Sequence, residues 1–505
     1  VRECRYERLA KETYLAVGAL GVAGRNCVVF KQSFQSTMTA LMERVFFHKG
    51  PNGFSAPFRP LYKAYRVAMR PFTTAFRKSA HRIVPHATPI SSLQFADLYS
   101  GLRRIKYMRA AVRLMALGVC RATSRISAFL KWEKVVEVPG KRHVPRLIQP
   151  RTPEYNVAVG RYLKPLEEPL YRIIADIIHG PNLDHQREPV VFKGLNAVVQ
   201  AYWLREYWQR YDKPVAIGLD ASRWDQHVSN SALRYEHSLW NEIYNGNLEL
   251  KRLLACQLNT VGIIRTEGKR IKYRTKHGRC SGDMNTASGN CLLACALIYS
   301  YMKHAGIQDA RIVNNGDDLV VILEQDDLNR MEELPSWYEK LGFPMEIEKP
   351  VTMFERIEFC QTHPVYNGDS WVMVRNFPSC AIKDSTIIHS IPNVSYLKDY
   401  LCTIGLGGAA LSTGIPILQE YYHKFISYGG KFRAECWPES GMSHLASGLH
   451  AEQRTISPES RVSFYLAFGI LPDVQEEIER KLRSVDTLEF GPKCASIFSS
   501  LGLME

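Results

Sequence analysis

The chain has 505 residues, 46% of them hydrophobic and 23% charged, with a formal net charge of +15. It contains no low-complexity tract, no internal repeat and no apolar run of the roughly 18 residues a membrane-spanning helix needs, which sets aside disorder, a repeat architecture and a transmembrane span. The charge is uneven: residues 1–165 hold 30 Lys and Arg against 8 Asp and Glu, and the remainder 35 against 42, the footprint of a polyanion partner.

This length accommodates about three domains of ordinary size. Twelve cysteines run from Cys4 to Cys494 without a C-x-x-C pair, which points to reduced thiols in a cytosolic setting rather than a zinc site. The chain opens on Val, as processing, an artificial boundary or the downstream part of a longer polypeptide would give.

The first apolar segment, YLAVGALGVAG at 14–24, predicts a buried or interfacial helix stopped by Arg25. Residues 1–130 read as mixed helix and loop, broken by Pro51, Pro57, Pro60, Pro71, Pro85 and Pro89. A long basic helix is expected over 96–123. Aromatics and Pro/Gly turns interrupt the basic residues, which favours nucleic acid over an acidic membrane as their partner. Short strands are expected over 131–151 around Pro139-Gly140, then a helix over 193–211 and a buried strand, PVAIGLD, ending in Asp220. A further helix begins near Ser229. Residues 286–306 predict a helix that Gly306 stops. RIVNNGDDLVVILE, at 311–324, predicts a hairpin, since Asn and Gly tolerate the positive φ of a tight turn. A polar helix over 325–342 and the strands FPMEIEKPV and RIEFCQTHPVY follow. Residues 384–505 read as largely helical, with a glycine-rich break at GLGGAALSTG. The order β-α-β-β-α-β is that of a split βαβ sheet, which sets the end of its first strand beside the hairpin turn.

That juxtaposition gives the acidic residues a purpose. A Gly-Asp-Asp tripeptide standing alone is a turn, but Asp317 and Asp318 repel each other unless a cation is near, and Mg²⁺ binds through carboxylates and substrate phosphates. Asp220 and Asp225 each read as a cap of a strand or helix; beside Asp317, Asp220 completes a site for two ions about 3.5–4 Å apart. In GRCSGDMNTASGN, 278–290, a Gly-Ser turn leads into a helix with Thr286 and Asn290 at i, i+4. One reading is a capped, closely packed helix; the other is a backbone that approaches a nucleic-acid strand while Asn290 points into a pocket.

Asp-x4-Asp, Ser-Gly-x3-Thr-x3-Asn and Gly-Asp-Asp, in this order, resemble motifs A, B and C of the RNA-directed RNA polymerases of positive-strand RNA viruses. KPVAIGLDASRWDQHVS, SGDMNTASGNCLL, NNGDDLVVI and IEFCQTHPV are most similar to the tombusvirus-like group, Tombusviridae, over residues 131 to about 370. The resemblance implies an α+β right-hand polymerase fold with a split βαβ palm sheet and mostly helical fingers and thumb. Its expected divisions are 1–185 for the N-terminal region and fingers, 186–231 and 278–368 for the palm, 232–277 for a fingers insertion and 369–505 for the thumb.

It further implies that Asp220, Asp317 and Asp318 are catalytic ligands of two Mg²⁺ ions, for which Mn²⁺ substitutes. Lys141, Arg142 and Arg146 would grip the incoming triphosphate, and Asp225, Ser281, Thr286 and Asn290 would line the ribose pocket, with Asp225 and Asn290 on opposite walls. Lys131, Lys134, Gly282, Phe359, Cys360 and Gln361 would contact RNA. Lys349 would protonate pyrophosphate, or be an ordinary exposed lysine at a strand end. The implied function is replication of a positive-strand genome from nucleoside triphosphates with pyrophosphate release. A reverse transcriptase shares the palm chemistry but excludes ribonucleotides with a bulky residue, where this chain has the polar Asp225 and Asn290; a non-catalytic RNA-binding replication scaffold is the other alternative. Expected partners are template and product RNA, nucleoside triphosphates, an upstream membrane-anchored replication protein and, as an open option, a second copy in a homo-oligomer. The expected setting is membrane-associated replication complexes in the host cytoplasm, with the chain produced by readthrough or frameshift.

Overall fold

Strand Pro214–Ala221 is the hub of a four-stranded antiparallel sheet in the computed structural model. Strand Asp318–Glu324 flanks it on one side and Met345–Ile347 on the other, with Arg311–Asn315 at the far edge. This is the split βαβ order, in an α+β chain. The structure describes residues 15–17, 27–50, 53–81, 87–119, 122–136, 140, 142–180, 188–388, 392–434, 442–484 and 490–491.

The two-residue period of a strand divides the core. Val215, Ile217 and Leu219, with Leu319, Val321 and Leu323, pack into one hydrophobic cluster with helix Thr286–Ala305. Ala216, Val320 and Ile322 enter a second cluster with Phe359, Val365 and Val372. A slip of one residue would exchange the two sets, so burial on both faces fixes the register that carries Asp220 to the sheet end. Helix Thr286–Ala305 is almost wholly buried and stops where Gly306 turns left-handed at φ +72°, its N–H donating to the Met302 carbonyl. Helix Asn230–Ile243 begins as expected at Ser229, whose hydroxyl accepts from the Ala232 N–H at 3.2 Å.

Several elements differ from expectation for identifiable reasons. The long basic helix spans only Gly101–Leu117, preceded by a separate short helix, Ser92–Asp97, and closed by Gly118 at φ +64°. Residues 325–342 divide into a 3₁₀ stretch, Gln325–Met331, and a helix, Leu334–Lys340, whose Pro335 lies in the first turn, where no backbone donor is needed. The glycine-rich run does not interrupt helix Val394–Ala410, which continues through Gly405 to Gly408. A Cβ on Gly408 would lie 2.1 Å from the Tyr422 ring, so glycine lets helix Leu418–Ser427 approach closely; the chain turns only at Gly414, φ +74°.

In the first apolar segment, Leu15–Val17 form a strand instead of a helix, because pairing with Thr386–Ile387 and Phe490–Gly491 satisfies their backbone; Tyr14 and residues 18–24 lie outside the described residues. A five-residue π-helix, Met42–Phe46, follows helix Phe34–Leu41 and has no counterpart in the sequence reading. Short strands Val135–Val136 and Leu147–Ile148 bracket the basic segment. Strand Ile126–Leu130 pairs with Leu147–Ile148 and, in parallel, with Thr260–Thr266, which joins the basic front to the 232–277 segment. Among the described residues no helix is long and apolar enough to cross a membrane. Cys256, Cys280, Cys291, Cys295, Cys360, Cys380 and Cys402 are unbridged.

Candidate active site

The Asn315–Asp318 pair closes the hairpin around Gly316 and Asp317. Only Gly316 takes a positive φ, +84°, which is the type II′ arrangement with glycine at the first central position. Buried Asn314 pins the turn: its side-chain nitrogen donates to the carbonyls of Gly316 and Asp318 at 2.9 and 3.1 Å, and its oxygen accepts from the Gly316 N–H at 3.3 Å. Leu219 pairs with Leu319, so Asp220 and Asp318 come next to each other at the same end of adjacent strands.

These carboxylates share one electrostatic field. Burial pushes the Asp317 carboxyl up to about 6, helped by the charges of Asp318 and Asp225 and opposed by Arg146. Burial also raises Asp318, with a hydrogen bond from the Cys360 thiol working the other way and the charges of Asp220 and Glu358 adding to the rise. Glu348, whose side chain crosses the space left by Gly218, is raised by burial and by Glu358, Asp220 and Asp318. Sequence reading missed Glu348 and Glu358. Among the described residues no three metal-binding side chains converge on a metal-sized point. The donors are nevertheless all carboxylate oxygens, and the raised proton affinity of Asp317 and Asp318 is that of a site short of positive charge, so Asp220, Asp317 and Asp318 fit a hard divalent cation.

Asp225 sits in the short helix Trp224–His227, which the left-handed Arg223, φ +54°, starts just after the Asp220 strand. One Asp225 oxygen accepts from the Ser281 hydroxyl and the other from the Asn290 amide at 3.0 Å. The expectation of opposite walls is therefore corrected: Asp225 and Asn290 are bonded directly, because the helix start carrying Ser281 and Asn290 packs onto the Asp225 turn. Asn290 also borders the hairpin, 3.9 Å from where a Gly316 Cβ would stand, and its buried side-chain oxygen has no partner. Thr286 is turned away, donating to the Cys280 carbonyl at 3.0 Å. Gly282, exposed at φ +122°, passes close to Pro150, whose Cα lies 3.1 Å from a Cβ built at that position.

Below this loop lies a buried polar lattice that sequence reading did not find. Arg279 and Glu236, both without solvent exposure, form an ion pair. Glu236 also accepts from Asn285 at 2.6 Å and from the Trp240 indole at 3.2 Å. Gly289 makes room for it, since a Cβ there would stand 2.3 Å from the Glu236 carboxylate. Arg151 pairs with Asp283 and donates to the Ser124 carbonyl at 2.7 Å. The available clue was Glu236 lying among Leu233, Leu239 and Trp240 on an otherwise apolar helix face, which demands a partner.

The basic front reaches the site by a different route from the one expected. Lys141 lies outside the described residues. Arg142 is paired with Glu43 of the π-helix, whose carboxylate also faces Arg223 at 3.8 Å. Arg223 in addition donates to the Glu43 carbonyl at 2.6 Å. Arg146 reaches Glu133 at 3.4 Å and Lys131 reaches the same carboxylate at 2.8 Å. Arg44 donates to the Val144 carbonyl at 2.9 Å and is held down at about 10 by burial and by the charges of Arg223 and Arg146. Arg44, Arg146 and Arg223 thus form a cationic group beside the carboxylates. Sequence reading named only Arg146 of the three, because nothing in the sequence marks the π-helix.

Three of the side chains expected to contact RNA have partners within the protein. Lys134 donates to the Lys383 carbonyl at 2.6 Å, toward helix Phe377–Asp384. Phe359 is a core residue packed against Phe192 at 5.8 Å and bridged to Thr362 across the turn. The Cys360 thiol faces Asp318 at 3.5 Å and accepts from Asn315 at 3.4 Å. Gln361 remains exposed, and it and Cys360 take φ +61° and +52°, consecutive left-handed non-glycine residues in a tight turn. Lys349 is exposed just beyond strand Met345–Ile347.

Residues 6–489 match the family model described as viral RNA dependent RNA polymerase, and the chain belongs to that family. It is similar to the RNA-directed RNA polymerase of Tobacco necrosis virus (strain A), 37% identical over 469 residues that make up 91% of this chain and 62% of that protein. The corresponding protein of Melon necrotic spot virus is 37% identical over 471 residues, 92% of this chain and 58% of the relative. That of Tomato bushy stunt virus (strain Cherry) is 37% identical over 426 residues, 82% and 50%. The chain therefore spans between 50% and 62% of the length of these relatives.

Proposed function

We propose that this chain performs template-directed RNA synthesis, joining nucleoside triphosphates on an RNA template with release of pyrophosphate, in replication of a positive-strand viral genome. The observation that carries the reading is the meeting of Asp220, Asp317 and Asp318 with the Asp225–Ser281–Asn290 cluster at one end of the sheet. Asp220, Asp317 and Asp318 would hold two Mg²⁺ ions, or Mn²⁺, which would favour the deprotonated 3′ hydroxyl and balance the charge of the leaving pyrophosphate.

The chain's own groups do the rest. Asp225, held by Ser281 and Asn290, accepts a hydrogen bond from the ribose 2′-OH. That polarity favours RNA synthesis over reverse transcription. Arg44, Arg146 and Arg223 bind the triphosphate, and Arg142 joins them on leaving Glu43. Lys349, exposed just beyond strand Met345–Ile347, donates a proton to pyrophosphate. In this reading residues 1–185 and 232–277 are the fingers, 186–231 and 278–368 the palm, and 369–505 the thumb. Gly282 and Gln361, both exposed, contact the RNA. An upstream membrane-anchored replication protein is the expected partner, in membrane-associated complexes of the host cytoplasm.

The test is Mg²⁺-dependent incorporation of labelled ribonucleotides on an RNA template and primer, omitting each nucleotide in turn. Asp317→Asn abolishes synthesis and leaves RNA affinity nearly intact. Residual activity within about tenfold of the parent excludes Asp317 as a ligand, and RNA binding without metal-dependent incorporation by the parent supports the scaffold instead.

A further inference from the structure

Helix Gly101–Leu117 buries only one narrow side, where Tyr107, Ala110 and Ala111 pack against Phe95, Ala96 and Val157. The other side carries Leu102, Ile105, Val112 and Met115, which are 86%, 47%, 60% and 68% exposed. At 3.6 residues per turn, their spacing of i, i+3, i+10 and i+13 spreads them over about 140° of the helix circumference, a broad aliphatic stripe about 20 Å long.

The helix has five cations and no acidic residue. Lys106 and Arg113 fall along one edge of the stripe, and Arg109 lies just inside that edge, between Leu102 and Ile105. Arg113 reaches Glu154 and Arg104 reaches Asp97, both at 2.6 Å, while their side chains stay about half exposed. Lys106 and Arg109 have no carboxylate partner among the described residues.

We infer that this helix docks on the surface of an anionic lipid bilayer, with its aliphatic stripe among the acyl chains and Lys106 and Arg109 against the headgroup anions. Charge complementarity selects this occupant: a stripe of Leu, Ile, Val and Met edged only by cations matches a surface that is apolar below and anionic above. Nucleic acid fits less well, because single-stranded bases stack on aromatic rings. The stripe has none; Tyr107 is buried and Tyr99 lies under the Arg103 guanidinium at 4.6 Å. The helix packs on Ser92–Asp97 and Pro153–Leu163, not on the sheet that bears the carboxylates, so docking there leaves Asp220 and Asp317 accessible.

The experiment is co-sedimentation of the full chain with phosphatidylcholine vesicles, with and without phosphatidylserine. The parent binds the serine-lipid vesicles and releases them as salt is raised. Lys106→Gln with Arg109→Gln weakens binding about thirtyfold, since each cation near an anionic surface contributes about fivefold. Replacing Leu102, Ile105, Val112 and Met115 together with Ser weakens it about a hundredfold or more. Circular dichroism and thermal denaturation report on folding; should the fourfold variant misfold, Ile105→Ser with Met115→Ser is read in the same way. Equal binding to both vesicle types, or parental vesicle binding by the folded serine variants, overturns the inference. It is equally overturned if the parent does not sediment with vesicles but forms dimers that the serine variants lack, which identifies a second copy as the occupant. Loss of RNA affinity in the glutamine variant with vesicle binding retained overturns it in favour of RNA.

Discussion

Replacing Arg279 with Met isolates the energetics of the buried lattice beneath Ser281. In the parent, burial pushes the Glu236 carboxyl up, but the charges of Arg279 and His237 and the hydrogen bonds from Arg279 and Asn285 bring it below its ordinary value. Arg279 and Glu236 have no solvent exposure, so the variant strands a carboxylate that water cannot reach. Breaking such a pair from one side costs about 3–5 kcal/mol. The loss is pH-dependent with a definite sign. Without Arg279 burial governs, and the folded-state pKa of Glu236 rises above its unfolded value. A carboxyl raised in this way keeps its proton where the unfolded chain has released it, so the variant loses stability as pH rises through that window, and its deficit is larger at about pH 8 than at about pH 5. Glu236→Gln strands Arg279 at a similar cost, with no comparable titration because guanidinium stays charged. The variant carrying both changes loses less than the sum, since no uncompensated charge remains. Urea denaturation at the two pH values measures all four proteins, and single-nucleotide incorporation shows a raised KM where Ser281 and Asn290 shift. Single variants within about 1 kcal/mol of the parent, or a double variant that loses the full sum, refute the argument.

If Asp317 is a metal ligand, as proposed, its proton competes with the divalent cation, and apparent Mg²⁺ affinity in the incorporation assay falls about tenfold per pH unit below the Asp317 value of about 6 and levels off above it; a flat profile counts against Asp317 as a ligand. Gly408→Ala forces a methyl against the Tyr422 ring, 2.1 Å away as built, and lowers stability by about 1–3 kcal/mol in thermal or urea denaturation. Gln361→Gly removes a left-handed non-glycine residue at φ +61° and, net of the added freedom of the unfolded chain, raises stability by about 0.5–1 kcal/mol. Titration of RNA binding against salt gives a log–log slope of about −0.7 per phosphate neutralised on a single strand, and a slope near zero removes the basic front from the RNA interface.

What the sequence could reveal was set by the range of each interaction. The strand ending in Asp220, the hairpin at Asp317 and the helix stopped by Gly306 were legible because period, turn chemistry and capping act within a few neighbouring residues. Once the element order implied a split βαβ sheet, the carboxylates fell together without any contact being known. The Glu43 bond to Arg223 spans 180 residues and that of Arg279 to Glu236 spans 43. No local pattern encodes either one. Composition concealed a different distinction. It assigned one polyanion to the whole basic front, yet Arg44 and Arg146 lie beside the carboxylates, whereas Lys106 and Arg109 edge an exposed aliphatic stripe on another helix. The same charge therefore serves two surfaces with different chemistry. What separates them is the identity of the neighbouring side chains, carboxylates at one and bare Leu, Ile, Val and Met at the other, and folding alone decides those neighbours.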